Sequence, residues 1–303
     1  MLPGGVRAVV SDLDGTIVLP GGLLSPATVS AVRALRAADI AFVPASARTP
    51  AGLAVLEPVL AEVSAVVCCN GAIGLGRSGD GLLWQESFEP GVVADLGALL
   101  AATLPGAGLA SHDGVSWSLS PEYVAALAAW APGRLHWGAQ HIVPMAELGL
   151  GPASLLAVCH PELPAPRLAA LLAQSGVLDG RATITFAADH VVNIAPAGVD
   201  KGTGVRRALT ALGISAAEAV GFGDAPNDLP VVTAVGLFVA MANADPQVLA
   251  AAGETTGSFT QDGFAGWLRR AGLDLDLDLD LGAGQPCADQ VTAPPALAPG
   301  HRG

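Results

Sequence analysis

The sequence predicts an α/β protein: a parallel sheet core with helices on both faces, interrupted by an inserted α+β region. Three observations carry this. Apolar strand-like runs alternate with helix-patterned runs over residues 6–82, and the alternation resumes from Lys201 to Ala240. The connections between these runs are short, as in a doubly wound sheet. Between residues 83 and 194 the texture changes to short strand-like runs mixed with a few helical ones.

Taken in order, Val6 to Leu13 (VRAVVSDL) reads as a buried strand entering a Gly-containing turn. Ser25-Pro26 offers an N-cap with Pro at the first helical position, and the spacing of Val29, Val32 and Leu35 predicts a helix over 27–38. Ile40 to Ala45 is a second strand, followed by a helix starting near Thr49-Pro50. Ala65 to Cys69 is a third strand, ending at Asn70-Gly71. In the inserted region, strands are expected at 114–119, 154–158, 183–186 and 190–194, and helices at 123–130 and 167–174. Afterwards come helix 201–212, strand 219–222, helix 227–234 and strand 236–240. This pattern predicts a Rossmann-like core from 1–82 and 195–273, an inserted domain at 83–194, and a low-complexity tail at 274–303. The tail begins with an Asp-Leu repeat, and its composition predicts disorder.

Composition narrows the function. The chain has 303 residues, 51% hydrophobic and only 4% aromatic, so its core is packed mainly from aliphatic side chains. No run reaches the roughly 18 apolar residues of a membrane span, and the first residues lack the pattern of a signal peptide. Four cysteines without a Cys-x-x-Cys argue against a disulfide framework or zinc knuckle. These features predict a cytoplasmic protein. A formal charge of −13 disfavours nucleic acid or an anionic membrane as partner. Any phosphate site must therefore be locally positive. Thirteen Arg accompany a single Lys, Lys201, and Asn occurs only four times, so these rare residues stand out. No sequence feature specifies an oligomeric state.

Asp12 and Asp14 lie at the carboxyl end of the first predicted strand, where open α/β sheets bind ligands. Two apart on extended backbone, they point the same way, and Gly15 lets the chain turn behind them. Close carboxylates call for a cation, and magnesium is the natural hard partner for oxygen ligands. An EF-hand is excluded because the glycine is fourth rather than sixth in the run. Asp224 and Asp228, flanking Asn227, form a second acidic cluster after strand 219–222; Asn227 alone reads equally as a helix N-cap. Lys201 begins a helix, where a cation opposes the helix dipole, so helix stability does not explain it. Ser46 and Arg48 follow the second strand, and a hydroxyl with a guanidinium suits a phosphoryl group.

These segments resemble the haloacid dehalogenase-like superfamily. Its four motifs match Asp12-Leu13-Asp14-Gly15-Thr16, Ser46, Lys201, and Gly223-Asp224-Ala225-Pro226-Asn227-Asp228. The insertion resembles the class IIB cap of Cof-type sugar phosphatases. Cys69-Asn70-Gly71-Ala72, Val239 to Ala244 and Asp262-Gly263-Phe264 resemble further stretches of that subgroup. The resemblance spans residues 6–270 and implies a magnesium-dependent phosphatase acting on a small phosphorylated metabolite, such as a sugar phosphate. It implies Asp12 as nucleophile and future aspartyl-phosphate, and Asp14 as general acid/base. Magnesium would rest on Asp12, the Asp14 backbone carbonyl, Asp224 and Asp228. Ser46 and Lys201 would hold the phosphoryl oxygens, and Arg48, Asn70, Gly71 and Asn227 would line the substrate site, Asn227 orienting Lys201 or the phosphoryl group.

Two departures stand out. Ser46-Ala47-Arg48 replaces the usual Thr-Gly-Arg, keeping the hydroxyl, and Asn193 replaces an acidic residue. Within the insertion, the polar candidates are His112, His190 and Asn193, each of which reads first as a surface or packing residue. A phosphomutase of the same fold and a non-catalytic binding relative are the alternative functions.

Overall fold

A computed structural model describes residues 5–77, 81–130, 138–188 and 190–275. The core is a five-stranded, wholly parallel sheet in the order Glu254–Thr255, Leu237–Ala240, Ala219–Gly223, Ala8–Ser11, Ala41–Pro44. Side chains alternate along each strand, and both sides find a partner. Val9, Phe42, Phe222 and Val239 pack beneath helices Pro26–Ala37 and Gly263–Arg270, through residues such as Val32, Leu35, Phe264 and Leu268. Val10, Val43, Phe238 and Ala240 pack against the opposite layer, through Val205 and Leu209 of helix Lys201–Ala211. This is the expected α/β core with helices on both faces. Ser25 caps its helix as predicted, its hydroxyl accepting from the Thr28 N–H, with Pro26 in the first turn.

Three local expectations are corrected. The segment after Thr49 is a 3-10 helix, Pro50–Glu62, because Pro58 inside it cannot donate and Val59 leaves helical geometry. The strand Ala65–Cys68 touches the core sheet only through the bridges Phe42↔Val63 and Ala45↔Val67. Its ladder is antiparallel, with the hairpin Ile73–Gly76 and Leu82–Gln85. The expected helix at 227–234 is a 3-10 turn, Pro226–Asp228, and a single α-turn, Leu229–Val232. Asn227 is not its N-cap, since its side chain is used elsewhere.

A second, six-stranded sheet has the order Ala139–Ile142, Ser116–Leu119, Gly108–His112, Leu155–Cys159, Val191–Pro196, Ala182–Ala188. Helices Val92–Thr103 and Ala165–Gln174 bury Leu96, Leu100 and Leu168 against Leu109, Leu156, Val192 and Ile194 on one face. The other face carries Ala110, Trp117 and Ala157, which join the cluster of helix Pro121–Trp130. The chain crosses between the two sheets quickly. The Glu86 N–H bonds the Ala72 carbonyl at 2.8 Å on the core side, and the Phe88 N–H bonds the Ala153 carbonyl at 2.8 Å on the other. On the return, Pro196 pairs with Ala182, and Asp200 already caps the core helix Lys201–Ala211.

Cys68, Cys69 and Cys159 are buried free thiols. At the tail, Leu273 and Leu275 pack into the first core cluster; residues 276–303, most of the Asp-Leu repeat, lie outside the described residues. No helix among the described residues is long and apolar enough to cross a membrane.

Candidate active site

The strand Ala8–Ser11 delivers Asp12 to the carboxyl edge of the sheet. There its N–H bonds the Phe222 carbonyl at 3.0 Å, locking the acidic loop to the neighbouring strand. Gly15 then turns with φ 82°, and a Cβ there would collide with the Asp224 carboxylate. Only glycine lets the two acidic loops approach this closely. Asp200 caps the helix from Lys201 through a reciprocal capping box with Thr203, fixing the start of the helix that carries the lysine.

Lys201 is 1% exposed, and its ammonium donates to Asp12 Oδ1 at 2.8 Å and to Asp228 Oδ1 at 2.5 Å. The second Asp228 oxygen accepts from the backbone N–H groups of Asp224 and Ala225, both at 3.0 Å. Asp228 therefore shapes the loop and holds the lysine at once. Asp224 accepts from the Thr16 hydroxyl at 3.0 Å and from the Asn243 amide at 3.3 Å. One carboxylate oxygen from each of Asp12, Asp224 and Asp228 lies within 4.8 Å of the others.

Three carboxylates here face one lysine, so negative charge is in excess. Burial pushes the Asp12 carboxyl well above its ordinary range; Lys201 opposes this, while Asp228 and Asp224 add to it. Burial, then repulsion from Asp228, pushes Asp224 up to about 6. Burial alone would favour neutral Lys201, but Asp12 and Asp228 outweigh it and raise its pKa. A hard divalent cation fits this oxygen set and would relieve the strain.

Asp14 points elsewhere. Its carboxylate is outside the three-acid cluster and takes two bonds from Arg48, Nε at 2.8 Å and one terminal nitrogen at 2.7 Å. The other terminal nitrogen bonds the Gly52 carbonyl at 2.8 Å. Arg48 thus engages the expected acid/base rather than the Asp12–Lys201 pair. The Ser46 hydroxyl is buried and accepts from the Arg48 N–H at 3.1 Å. Asn70, fully buried with φ 52°, donates to Thr185 Oγ1 at 3.1 Å and accepts from Asn227 Nδ2 at 3.0 Å. Asn227 therefore does not orient Lys201; Asp12 and Asp228 do. Gly71 has φ 104°, and a Cβ there would strike the Asp200 carbonyl, so it serves close packing beside the lysine helix.

Of the polar candidates in the inserted region, Asn193 accepts from the Thr185 hydroxyl through its backbone carbonyl, not its side chain, at 3.2 Å. His112 is buried against Trp117, and His190 stacks on Trp130 with ring centres 3.6 Å apart. Sequence reasoning gave no role to Thr16, Asn243 or Thr185. Asparagine scarcity marked Asn243, which also bonds the Gly15 carbonyl at 2.9 Å. Nothing in the sequence singles out Thr185.

The family model of the haloacid dehalogenase-like hydrolases matches residues 9–103 and 169–268. HMP-PP phosphatase of Escherichia coli K12 is 27% identical over 244 residues, covering 80% of this chain and 87% of that protein. A sugar phosphatase of haloacid dehalogenase subclass IIB superposes with a TM-score of 0.76 at 19% identity, covering 89% of this chain and all of that one. The protein TM0651 of Thermotoga maritima gives a TM-score of 0.72 at 23% identity, covering 89% and 99%. With nearly two hundred residues matched across both halves of the core, this chain belongs to the haloacid dehalogenase-like hydrolases.

Proposed function

We propose that this hydrolase is a phosphatase that cleaves a small phosphomonoester, a sugar phosphate or related metabolite, through an aspartyl-phosphate on Asp12, with magnesium as its metal. The observation that carries the reading is the buried Lys201 bridging Asp12 and Asp228, with Asp224 beside them. The phosphatase names of its relatives support it.

Phosphoryl transfer needs positioning and charge compensation more than covalent chemistry. Lys201 fixes one Asp12 oxygen and leaves the other without a hydrogen-bond partner among the described residues. The Asp12 carboxylate attacks phosphorus and the alcohol leaves, taking its proton from Asp14. Asp14 then removes a proton from the water that cleaves the acyl phosphate and regenerates Asp12. Lys201 and Ser46 bind phosphoryl oxygens, offsetting charge where it develops. Asp12, Asp224, Asp228 and the Asp14 backbone carbonyl would hold the magnesium. When bound, the ion supplies positive charge to the phosphoryl group and lets the three acids stay ionised together.

The test is phosphate release from p-nitrophenyl phosphate and from a panel of phosphorylated metabolites, with magnesium and with chelator. Full activity of Asp12→Asn would sink the nucleophile assignment. Isomerised sugar phosphate without net phosphate release would identify a mutase instead.

A further inference from the structure

The loop that follows strand Ala65–Cys68 is held in a conformation that residues with side chains rarely adopt. Cys69 and Asn70 have left-handed φ values of 51° and 52°, and Gly71 follows at 104°. Neighbouring groups pin it there. The Cys69 and Asn70 N–H groups donate to the carbonyls of Arg48 and Ser46 at 2.9 and 3.1 Å, and the Trp84 indole donates to the Gly71 carbonyl at 3.0 Å. Asn70, fully buried, is thereby aimed at Thr185, on the edge strand Ala182–Ala188 of the six-stranded sheet. That strand packs against the turn Pro226–Asp228.

The hydrogen bonds along this row have a fixed sense. The Thr185 hydroxyl has one proton and gives it to the Asn193 backbone carbonyl, which can only accept. Its lone pairs are what it offers Asn70, and Asn70 meets them with Nδ2 at 3.1 Å. That leaves Asn70 Oδ1 for Asn227, whose Nδ2 donates to it at 3.0 Å. Turned over, Asn227 would set its own Oδ1 against Asn70 Oδ1, acceptor against acceptor. The second N–H of Asn227 has no hydrogen-bond partner among the described residues, and the next residue, Asp228, holds Lys201. We infer that Thr185 is a positioning residue for phosphoryl transfer: its hydroxyl orients Asn70, and Asn70 fixes the Asn227 amide beside Asp228 and Lys201. The inference rests on the phosphatase reading and adds to it a residue of the inserted region. An amide fixed in advance can present its free N–H to a phosphoryl oxygen without reorganising as charge develops. Thr185 acts only through the row, so its contribution depends on Asn227 being present.

The test measures kcat and KM of the full chain for p-nitrophenyl phosphate with magnesium. Thr185→Val keeps the shape and removes the hydroxyl; it should cut kcat by about tenfold or more, the scale of a misplaced group. KM should move by less than about threefold, since the contact matters most in the transition state. Thr185→Ser restores the hydroxyl and should keep at least about a third of the parental kcat. Parental kcat in the Val variant, or an equal loss in the Ser variant, overturns the role. Thr185→Ala cuts the same row and carries the same expectation should the Val variant not fold. Asn227→Ala supplies the second measurement. With the end of the row gone, adding Thr185→Val should cost less than about a further twofold. A second full loss would mean that Thr185 acts by another route, a contact with the leaving group included, and overturns the role. Absence of turnover by the parent protein would instead bring down the phosphatase reading, and this role with it.

Discussion

Arg48 grips Asp14 at both carboxylate oxygens, at 2.8 and 2.7 Å, while Arg48 itself is only 9% exposed. The residue expected to move protons is held by a planar, two-pronged donor anchored on Gly52.

Arg48→Lys keeps the charge but loses the fork, so the loss should depend on how badly the leaving group needs a proton. With p-nitrophenyl phosphate, whose leaving group departs unassisted, kcat should fall less than about fivefold. With an alkyl phosphate it should fall about a hundredfold, the scale of general-acid catalysis. Equal losses on both substrates would place Arg48 on the phosphoryl group instead.

Lys201→Met removes the only cation between two buried carboxylates. Stranding such charges costs about 3–5 kcal/mol, readable in urea denaturation with chelator present. Asp228→Asn added to that variant should recover part of the loss, revealing the coupling. Activity should drop about a thousandfold. A Lys201→Met protein as stable as the parent would contradict the buried bridge.

Magnesium affinity should rise with pH through about 6. Asp224 is pushed up to about 6 by burial and by Asp228, so below that pH a proton holds the site the ion needs. Apparent affinity should weaken by up to about tenfold per pH unit there, measured by titration calorimetry from pH 5 to 7.5. In chelator the sign inverts for stability: the folded state binds more protons than the unfolded one between about 4 and 6, so this group makes the metal-free fold less stable as pH rises.

His112 supplies the opposite slope. Burial lowers its pKa from 6.5 to about 4, against a small pull from Asp113. The unfolded chain therefore binds the proton first as pH drops from 6.5 to 4, and stability falls over that window, by about 2 kcal/mol at its lower end. His112→Asn, whose side-chain oxygen can accept the Gly114 N–H that now bonds Nδ1 at 3.1 Å, should flatten this limb of the stability curve. An unchanged slope would mean the imidazole already titrates normally in the fold.

What could be read from the sequence was what has strong local chemistry. The run AVVSDLDG declares a buried strand that ends in acid, and Lys201 stood out as the only lysine. The alternation of Val9 and Val10 into opposite core clusters is the period that predicted helices on both faces. The helix Val92–Thr103 was missed because VVADLGALLAAT is apolar nearly all round and shows no face. The strand Gly108–His112 (GLASH) has no β-branched residue to announce it. At the site, pairings across long separations were invisible. Nothing local tells that Arg48 turns to Asp14, or that Asn70 bonds Thr185, 115 positions away.

The two crossings between the sheets are both short, and this has a mechanical consequence. Going out, Ser87 alone lies between a backbone bond to the core and one to the second sheet; coming back, residues 197–199 separate Pro196 from the helix cap Asp200. Two brief struts leave a body little room to slide, so a swing, if the second sheet is to move at all, must run about the line that joins them. The return strut runs directly into Lys201, so the axle of that swing is bolted to the residue on which the charge balance of the site depends.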